Sequence, residues 1–273
     1  MNTKILVTGA TGFIGRHLIN KLDKKNLLFV NRKSFEKDSL IIFNSKNEKV
    51  NIEELIEDEI IFIHLATHFS LEEKDNELIK NANLDFGNNI LYFTKELNIK
   101  KIIYSNSMYN FYQENNLRNS FYNQTKNMFS KTLNDFCQNN GISYEEIYLD
   151  NTFGKNDTRN KIIPLIVKNI NENKDNPIKN PQTYINITNV DYVVKRLIIS
   201  IREKNISDVS CFISQKSVNL NSIYKFLSYY FKENIYNKDL LKYKENMYKK
   251  NHPDIKYKDI FMKPMHLDLI NLI

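Results

Sequence analysis

The stretch KILVTGATGFIGRHLINKL, residues 4–22, constrains the fold more than any other part of the chain. Gly9, Gly12 and Gly15 lie in it, and the whole sequence of 273 residues holds only six glycines. KILVTG carries a short apolar run, Ile5 to Val7, and reads as a buried strand. GFIGRHLINKL then sets Ile14, Leu18 and Leu22 on one helical face. The glycines therefore occupy a strand-to-helix turn, the place where a doubly wound sheet takes the pyrophosphate of a dinucleotide. Gly9 suits a tight turn, Gly12 a close approach of backbone to phosphate, and Gly15 the contact of helix with strand. The spacing is G-x-x-G-x-x-G rather than G-x-G-x-x-G.

The pattern after this turn extends the same architecture. LLFVN (27–31), IIFIHLA (60–66), KIIYSNS (101–107) and EEIYLDN (145–151) read as further strands. Segments with apolar residues at helical spacing separate them, among them one with Ile90, Leu91, Phe93 and Leu97 and another with Met128, Phe129, Leu133, Phe136 and Cys137. Such alternation predicts an α/β fold, an open parallel sheet wrapped on both faces. After Asn151 the pattern changes: Gly154, Pro164, Pro177 and Pro181 surround the helix-like KIIPLIVKNI. A helix over 189–202 and a short strand SCFIS follow, and the tail from Asn219 reads as largely helical and polar. The expected division is a sheet domain of residues 1–152 and 188–215, with a smaller substrate lobe of 153–187 and 216–273.

The end of the second strand reads Asn31, Arg32, Lys33, with no acid before Glu36. A dinucleotide lacking a 2′-phosphate usually meets an Asp or Glu there, whereas guanidinium and ammonium groups suit a phosphate. This favours NADP(H) over NAD(H). Tyr122 and Lys126 in SFYNQTKNMF are four apart, on one helix face, after the fourth strand. Spacing alone is weak in a chain with 16 tyrosines; position carries the inference. A phenol near pKa 10 is a poor proton donor at neutral pH, and a neighbouring ammonium is expected to lower it by roughly 1–3 units. Such a phenol can protonate a carbonyl oxygen as hydride reaches the carbon. Ser105 and Ser107 stand at the end of the fourth strand, and Ser107 is preferred as the residue that holds that oxygen.

TGATGFIG (8–15), FIHLAT (62–67), SNS (105–107), YNQTK (122–126), NTFG (151–154) and, more loosely, NITNVDYVVK (186–195) occur in the order of one family. The chain resembles the extended short-chain dehydrogenases/reductases, specifically the NAD(P)-dependent epimerase/dehydratase enzymes that act on nucleotide sugars. The resemblance implies a doubly wound parallel Rossmann-type sheet with a small C-terminal nucleotide-sugar lobe. It implies Tyr122, Lys126 and Ser107 as catalytic, with Lys126 also holding the nicotinamide ribose. Gly9, Thr11, Gly12, Phe13, Ile14, Asn31, Arg32, Lys33, Leu65, Ala66 and Thr67 are the implied cofactor contacts, with Asn83 nearby. Ser107 and Asn151 are the implied substrate contacts; Arg159 and Lys161 sit in the expected substrate lobe, where a diphosphate needs a cation. Family dehydratases carry Asp-Glu after the active hydroxyl; here Met108 and Tyr109 follow Ser107, which disfavours 4,6-dehydration. IYLDNTFGKNDTRNKIIPLI resembles the synthases that finish CDP-3,6-dideoxyhexoses such as abequose and paratose, which reduce a 4-keto sugar with NADPH.

The expected function is thus NADPH-dependent reduction of the 4-keto group of a CDP- or dTDP-linked deoxysugar for surface polysaccharide. Two alternatives stay open: an epimerase that retains NAD, and a non-catalytic cofactor sensor on the same fold. A homodimer paired through helices near 84–98 and 122–139 is a family arrangement. Net charge is +7, from 39 basic and 32 acidic residues, but the lysines are scattered and form no basic stripe. Nucleic acid is therefore not expected as a partner. Cys137 and Cys211 lack metal-ligand spacing and read as buried thiols. His64 reads as structural, and His17, His252 and His266 are isolated. Neither a charged-then-apolar leader nor a run of 18 apolar residues appears, so the cytoplasm is the expected compartment and no membrane is expected.

Overall fold

A computed structural model describes residues 3–31, 34–36, 39–111, 115–203, 208–212, 216–245, 256–257 and 264–272. The chain divides into two compact units, Met1–Tyr148 with Arg196–Cys211 and Leu149–Lys195 with Phe212–Ile273.

The first unit is built on β1 (Thr3–Thr8), β2 (Leu27–Val30), β3 (Ile42–Asn44), β4 (Lys49–Val50), β5 (Glu59–His64), β6 (Ile99–Ser107), β7 (Ser143–Leu149) and, beyond the second unit's strands, β11 (Asp208–Phe212). Their order in the sheet is β11-β7-β6-β5-β1-β2-β3-β4. β1 runs parallel to both β2 and β5, and β5 parallel to β6. The sheet thus reverses its winding between β1 and β5, which opens a crevice at the carboxyl ends of these two strands. The antiparallel β3–β4 hairpin extends the far edge; its strands are too short and mixed in polarity to stand out in the sequence. Around the sheet lie α1 (Phe13–Ile19), α2 (Asn76–Lys80), α3 (Phe86–Phe93), α4 (Phe121–Asn140) and α6 (Val190–Arg202), the last shared with the second unit. One π-helical turn, Asn81–Asp85, joins α2 to α3.

Burial explains these boundaries. Leu6, Phe62, Ile102 and Tyr104 from the strands and Ile90, Phe129 and Leu133 from the helices are fully buried in one cluster. A Cβ at Gly87 would stand 2.2 Å from the Phe129 ring, so the missing side chain lets α3 pack close to α4. α4 begins where the Ser120 hydroxyl accepts from the Asn123 N–H and ends at Gly141, whose φ of 64° stops the helix.

The second unit contains β8 (Asn151–Phe153) parallel to β10 (Ile187–Asn189). An antiparallel sheet orders β9 (Tyr184–Ile185), β12 (Lys216–Asn219) and β13 (Tyr243–Glu245). α5 (Ile162–Asn171), α7 (Leu220–Glu233) and α8 (Met265–Ile270) complete it. Phe153, Ile166, Ile223, Phe226 and Leu269 form its core. The tail is less helical than its sequence suggests, since a 3₁₀ turn at Lys238–Leu240 and β13 follow α7.

Candidate active site

The glycine turn sits where β1 meets α1. Gly9 has φ +68°, and a Cβ there would lie 2.7 Å from the Ala66 N and the Leu65 carbonyl carbon. The turn is therefore pressed against the end of β5. At Gly15 a Cβ would fall 2.1 Å from the Gly9 carbonyl oxygen. At Gly12 it would meet only that oxygen, at 3.1 Å, so this position faces open space. Gly12 also caps α1 without a side chain, which leaves the first helical N–H groups to another partner. Thr11 and Gly12 are exposed, Phe13 is buried and Ile14 half-buried.

Thr8 and His64 hold the two strand ends together. The Thr8 hydroxyl is 3.0 Å from His64 Nδ1 and accepts from the Ala66 N–H at 3.3 Å. His64 is fully buried among Phe62, Phe86, Tyr104 and Phe129. Burial, reinforced by the Lys126 charge, lowers its pKa to about 3, so it stays neutral and serves packing. Asn31 ends β2 in a turn with Ser34. Arg32 and Lys33 lie outside the described residues.

Next along the crevice, Ser107 at the end of β6 and Tyr122 on α4 are brought together. The hydroxyls of Ser107 and Thr67 both hydrogen-bond the Tyr122 phenol. Thr67 is anchored by Asn83, a residue 1% exposed within the π turn. The Asn83 Oδ1 accepts from the Thr67 hydroxyl at 2.9 Å and the His68 N–H at 2.7 Å. Its amide donates to the His68 carbonyl at 3.1 Å and the Thr125 hydroxyl at 3.4 Å. Phe69 and Tyr109 pack edge-on against Tyr122, at centroid distances of 5.0 and 6.1 Å. Sequence reading missed both; aromatic walls carry no motif.

Lys126 is 2% exposed. Its ammonium donates to the Ser105 carbonyl at 2.5 Å and lies 4.3 Å from the centre of the Tyr104 ring. Burial pulls its pKa down to about 7, against the pull of the Glu146 carboxylate. The expected lowering of Tyr122 by Lys126 is not what the structure has. Burial raises the Tyr122 pKa, and the two hydroxyl contacts only oppose that rise. Both groups are buried, so each disfavours its own charge, and the ammonium is spent on Ser105 rather than on the phenol.

Asn151 and Arg159 belong to the second unit. The Asn151 amide donates to the Asn186 carbonyl at 3.1 Å. Arg159 donates to both oxygens of Asp157 at 2.8 Å and to the Thr152 carbonyl at 2.7 Å. It lines a cavity of about 690 Å³ with Phe153, Asn156, Pro164 and Lys168. Beside it, burial and the Arg159 charge pull Lys161 to about 7. Among the described residues no His/Cys/Asp/Glu cluster is arranged for a metal, and no helix is long and apolar enough to cross a membrane.

Similarity to known proteins agrees with this geometry. Residues 5–190 match the NAD dependent epimerase/dehydratase family. CDP-abequose synthase of Salmonella muenchen is 24% identical over 184 residues, 64% of this chain and 62% of that one. The match thus spans less than two thirds of that relative's length. UDP-N-acetylglucosamine 4-epimerase from Methanobrevibacter ruminantium M1, solved with UDP-N-acetylmuramic acid, superposes with TM-score 0.72 at 21% identity, covering 99% of this chain and 96% of its own. UDP-glucuronic acid 4-epimerase from Bacillus cereus, solved with NAD, does so with TM-score 0.67 at 19% identity, covering 82% and 81%. With the glycine turn at the sheet's switch point and Ser107 and Tyr122 converging beside it, the chain belongs to the NAD dependent epimerase/dehydratase family.

Proposed function

We propose that this protein is an NADPH-dependent reductase of the 4-keto group of a nucleotide-linked deoxysugar, CDP- or dTDP-linked, in the cytoplasm. The observation that carries the reading is the meeting of the Ser107 and Tyr122 hydroxyls in one buried spot, with no carboxylate following Ser107. Met108, next in sequence, is buried, and Tyr109 turns its ring toward Tyr122. Elimination of water needs an acid/base pair at that point; carbonyl reduction does not.

The residues present fit a dinucleotide. The turn at Gly9–Gly15 leaves room at Gly12 and uncapped N–H groups for the pyrophosphate. Thr11, Phe13, Ile14, Leu65, Ala66 and Thr67 border the same crevice, and Lys126 holds the ribose. Asn31, Arg32 and Lys33, with no acid at the β2 end, support NADPH over NADH. A nicotinamide bound there would supply the hydride for the sugar C4. Ser107 orients the C4 oxygen by a hydrogen bond, and Tyr122 gives it a proton. The elevated pKa of Tyr122 keeps that proton in place until an alkoxide develops. The Ser107 and Thr67 hydroxyls, which oppose the rise of the Tyr122 pKa, then favour the phenolate that remains. Asn151 and Arg159 are assigned to the substrate, Arg159 to its diphosphate.

The alternative is an epimerase with retained NAD, supported by the likeness to solved 4-epimerases. A homodimer is part of the proposal: Leu78, Tyr92 and Met128 are 52–64% exposed on α2, α3 and α4. Sedimentation at two concentrations tests it, a monomer at both contradicting it. The function is tested by mixing protein and NADPH with CDP-, dTDP-, UDP- and GDP-linked 4-keto sugars and following nicotinamide absorbance. Consumption with one of them is expected. Silence across the panel, or tightly bound NAD without net consumption of NADPH, contradicts the reductase.

A further inference from the structure

Two neighbouring acids, Glu145 and Glu146, lie in the middle of β7 and are 0% and 4% exposed. A strand's period of two sends them to opposite faces of the sheet. A buried carboxylate is costly unless cations or donors meet it. Glu145 is met by two cations: Lys101 stands 3.2 Å from it, Arg196 bonds it directly, and Arg196 also reaches Glu203 at 3.1 Å. That network anchors α6 to the sheet on its own face.

Glu146 faces the other way. Its Oε1 accepts the Asn106 side-chain amide at 2.5 Å. The orientation of that amide is fixed, because the Asn106 Oδ1 accepts the Ser107 backbone N–H at 2.7 Å, so its NH₂ must turn to Glu146. The titratable groups facing Glu146 are Tyr104 on β6, Tyr144 on β7 and Lys126 on α4, and its charge discourages ionisation of both phenols. Glu146 is the acid whose charge acts on Lys126. Lys126 also faces His64, which is neutral and so sets no second positive charge beside it.

We propose that Glu146 is a positioning residue for this chemistry: through Asn106 it fixes the main chain at Ser107, and its carboxylate is the buried counter-charge of Lys126. The inference rests on the reading of Ser107 and Lys126 as reactive residues given above. A strand position under an active site would ordinarily be filled by an apolar side chain. An acid there, bonded to one neighbour of the site and electrostatically tied to another, does something that packing alone does not need.

Glu146→Gln separates charge from contact, because its amide oxygen can still accept from Asn106. The direct readout is the charge of Lys126 in cofactor-free protein labelled with [ε-¹³C]lysine, its resonance assigned as the one missing in Lys126→Arg. The Lys126 midpoint is expected to fall by at least one pH unit in Glu146→Gln and to stay within half a unit in Glu146→Asp. In turnover, the alkaline limb of the kcat profile moves to lower pH by the same amount. An unmoved Lys126 midpoint in Glu146→Gln overturns the inference. So does a uniform loss of rate with an unmoved profile, the mark of a purely structural role. Should Glu146→Gln fail to fold alone, Lys126→Met/Glu146→Gln is compared with Lys126→Met. Removing both charges is expected to raise the melting temperature above that of Lys126→Met, and a lower value overturns the inference. A parent that never turns over would refute the reductase while leaving the lysine titration to decide on Glu146.

Discussion

Gly12 and Gly15 belong to one motif, but the structure gives them different duties, and alanine at each position should separate the two. At Gly15 a Cβ lies 2.1 Å from the Gly9 carbonyl oxygen and 2.8 Å from the Ala10 Cα. These are backbone atoms, so no rotamer change relieves the contact and the turn must open. Overpacking of this kind costs about 3 kcal/mol, of which better helix propensity returns about 1 kcal/mol. The net loss of about 2 kcal/mol lowers Tm by roughly 4–8 °C in a protein of this size. Gly12 has φ −71° and ψ 172°, open to any residue, and its Cβ meets one atom at 3.1 Å. The poorer N-cap, costing about 0.5–1 kcal/mol, is offset by a similar gain from a stiffer unfolded chain. Gly12→Ala should therefore melt within about 2 °C of the parent. Its methyl group nevertheless fills the space assigned to the pyrophosphate, so NADPH affinity should fall at least tenfold, about 1.4 kcal/mol. Calorimetry with a fluorescence titration of NADPH measures both quantities. A Gly12→Ala protein that binds NADPH like the parent would show that the pyrophosphate does not sit on this turn.

Tyr122→Phe removes the proposed proton donor and should cost 10²–10⁴-fold in kcat with NADPH affinity unchanged, as read by steady-state kinetics beside the same titration. His64 is lowered to about 3 while an unfolded chain titrates it near 6.5. The unfolded state therefore binds a proton across this window that the native state refuses, and stability is full above pH 6.5 and lost as pH falls toward 3. The loss on this account reaches about 5 kcal/mol, and His64→Phe should flatten the acid limb of a denaturation series taken from pH 7 to 4. Burial pushes the Cys137 thiol up to about 12, so in a Cys211→Ser background it should resist alkylation at pH 8 until the protein is denatured. Removing Glu145 as Glu145→Gln leaves Lys101 and Arg196 buried without their shared acid, and urea titration should show a loss of about 3–5 kcal/mol.

The parts of the sheet that were legible in the sequence are those buried on both faces. KILVTG, IIFIHLA and KIIYSNS each carry a run of consecutive apolar residues because helices cover them twice, and all three form neighbouring strands. The β3–β4 hairpin was not legible, since a short antiparallel edge needs neither a long apolar run nor strict alternation. Tyr122 and Lys126 were found by position and spacing, yet their electrostatics were not. How far each pKa moves depends on burial, which no local pattern of residues reports. Asn83 could only be placed near the cofactor, because its hub of four hydrogen bonds depends on a π turn that wraps it against His68 and Thr125. The pair Glu145–Glu146 did carry a signal: two acids inside a strand flanked by Ile147 and Tyr148 must each find a partner. Which partner faces which acid required the fold.

Transfer of deuterium from [4,4-²H₂]NADPH to a 4-keto nucleotide sugar, followed by NMR of the product, tests the pairing of hydride and Tyr122 proton most directly. One deuterium per turnover at the sugar C4, with product formed about 10²–10⁴-fold more slowly by Tyr122→Phe, is the predicted outcome. Product formed without deuterium at C4, or formed equally well by Tyr122→Phe, would contradict it.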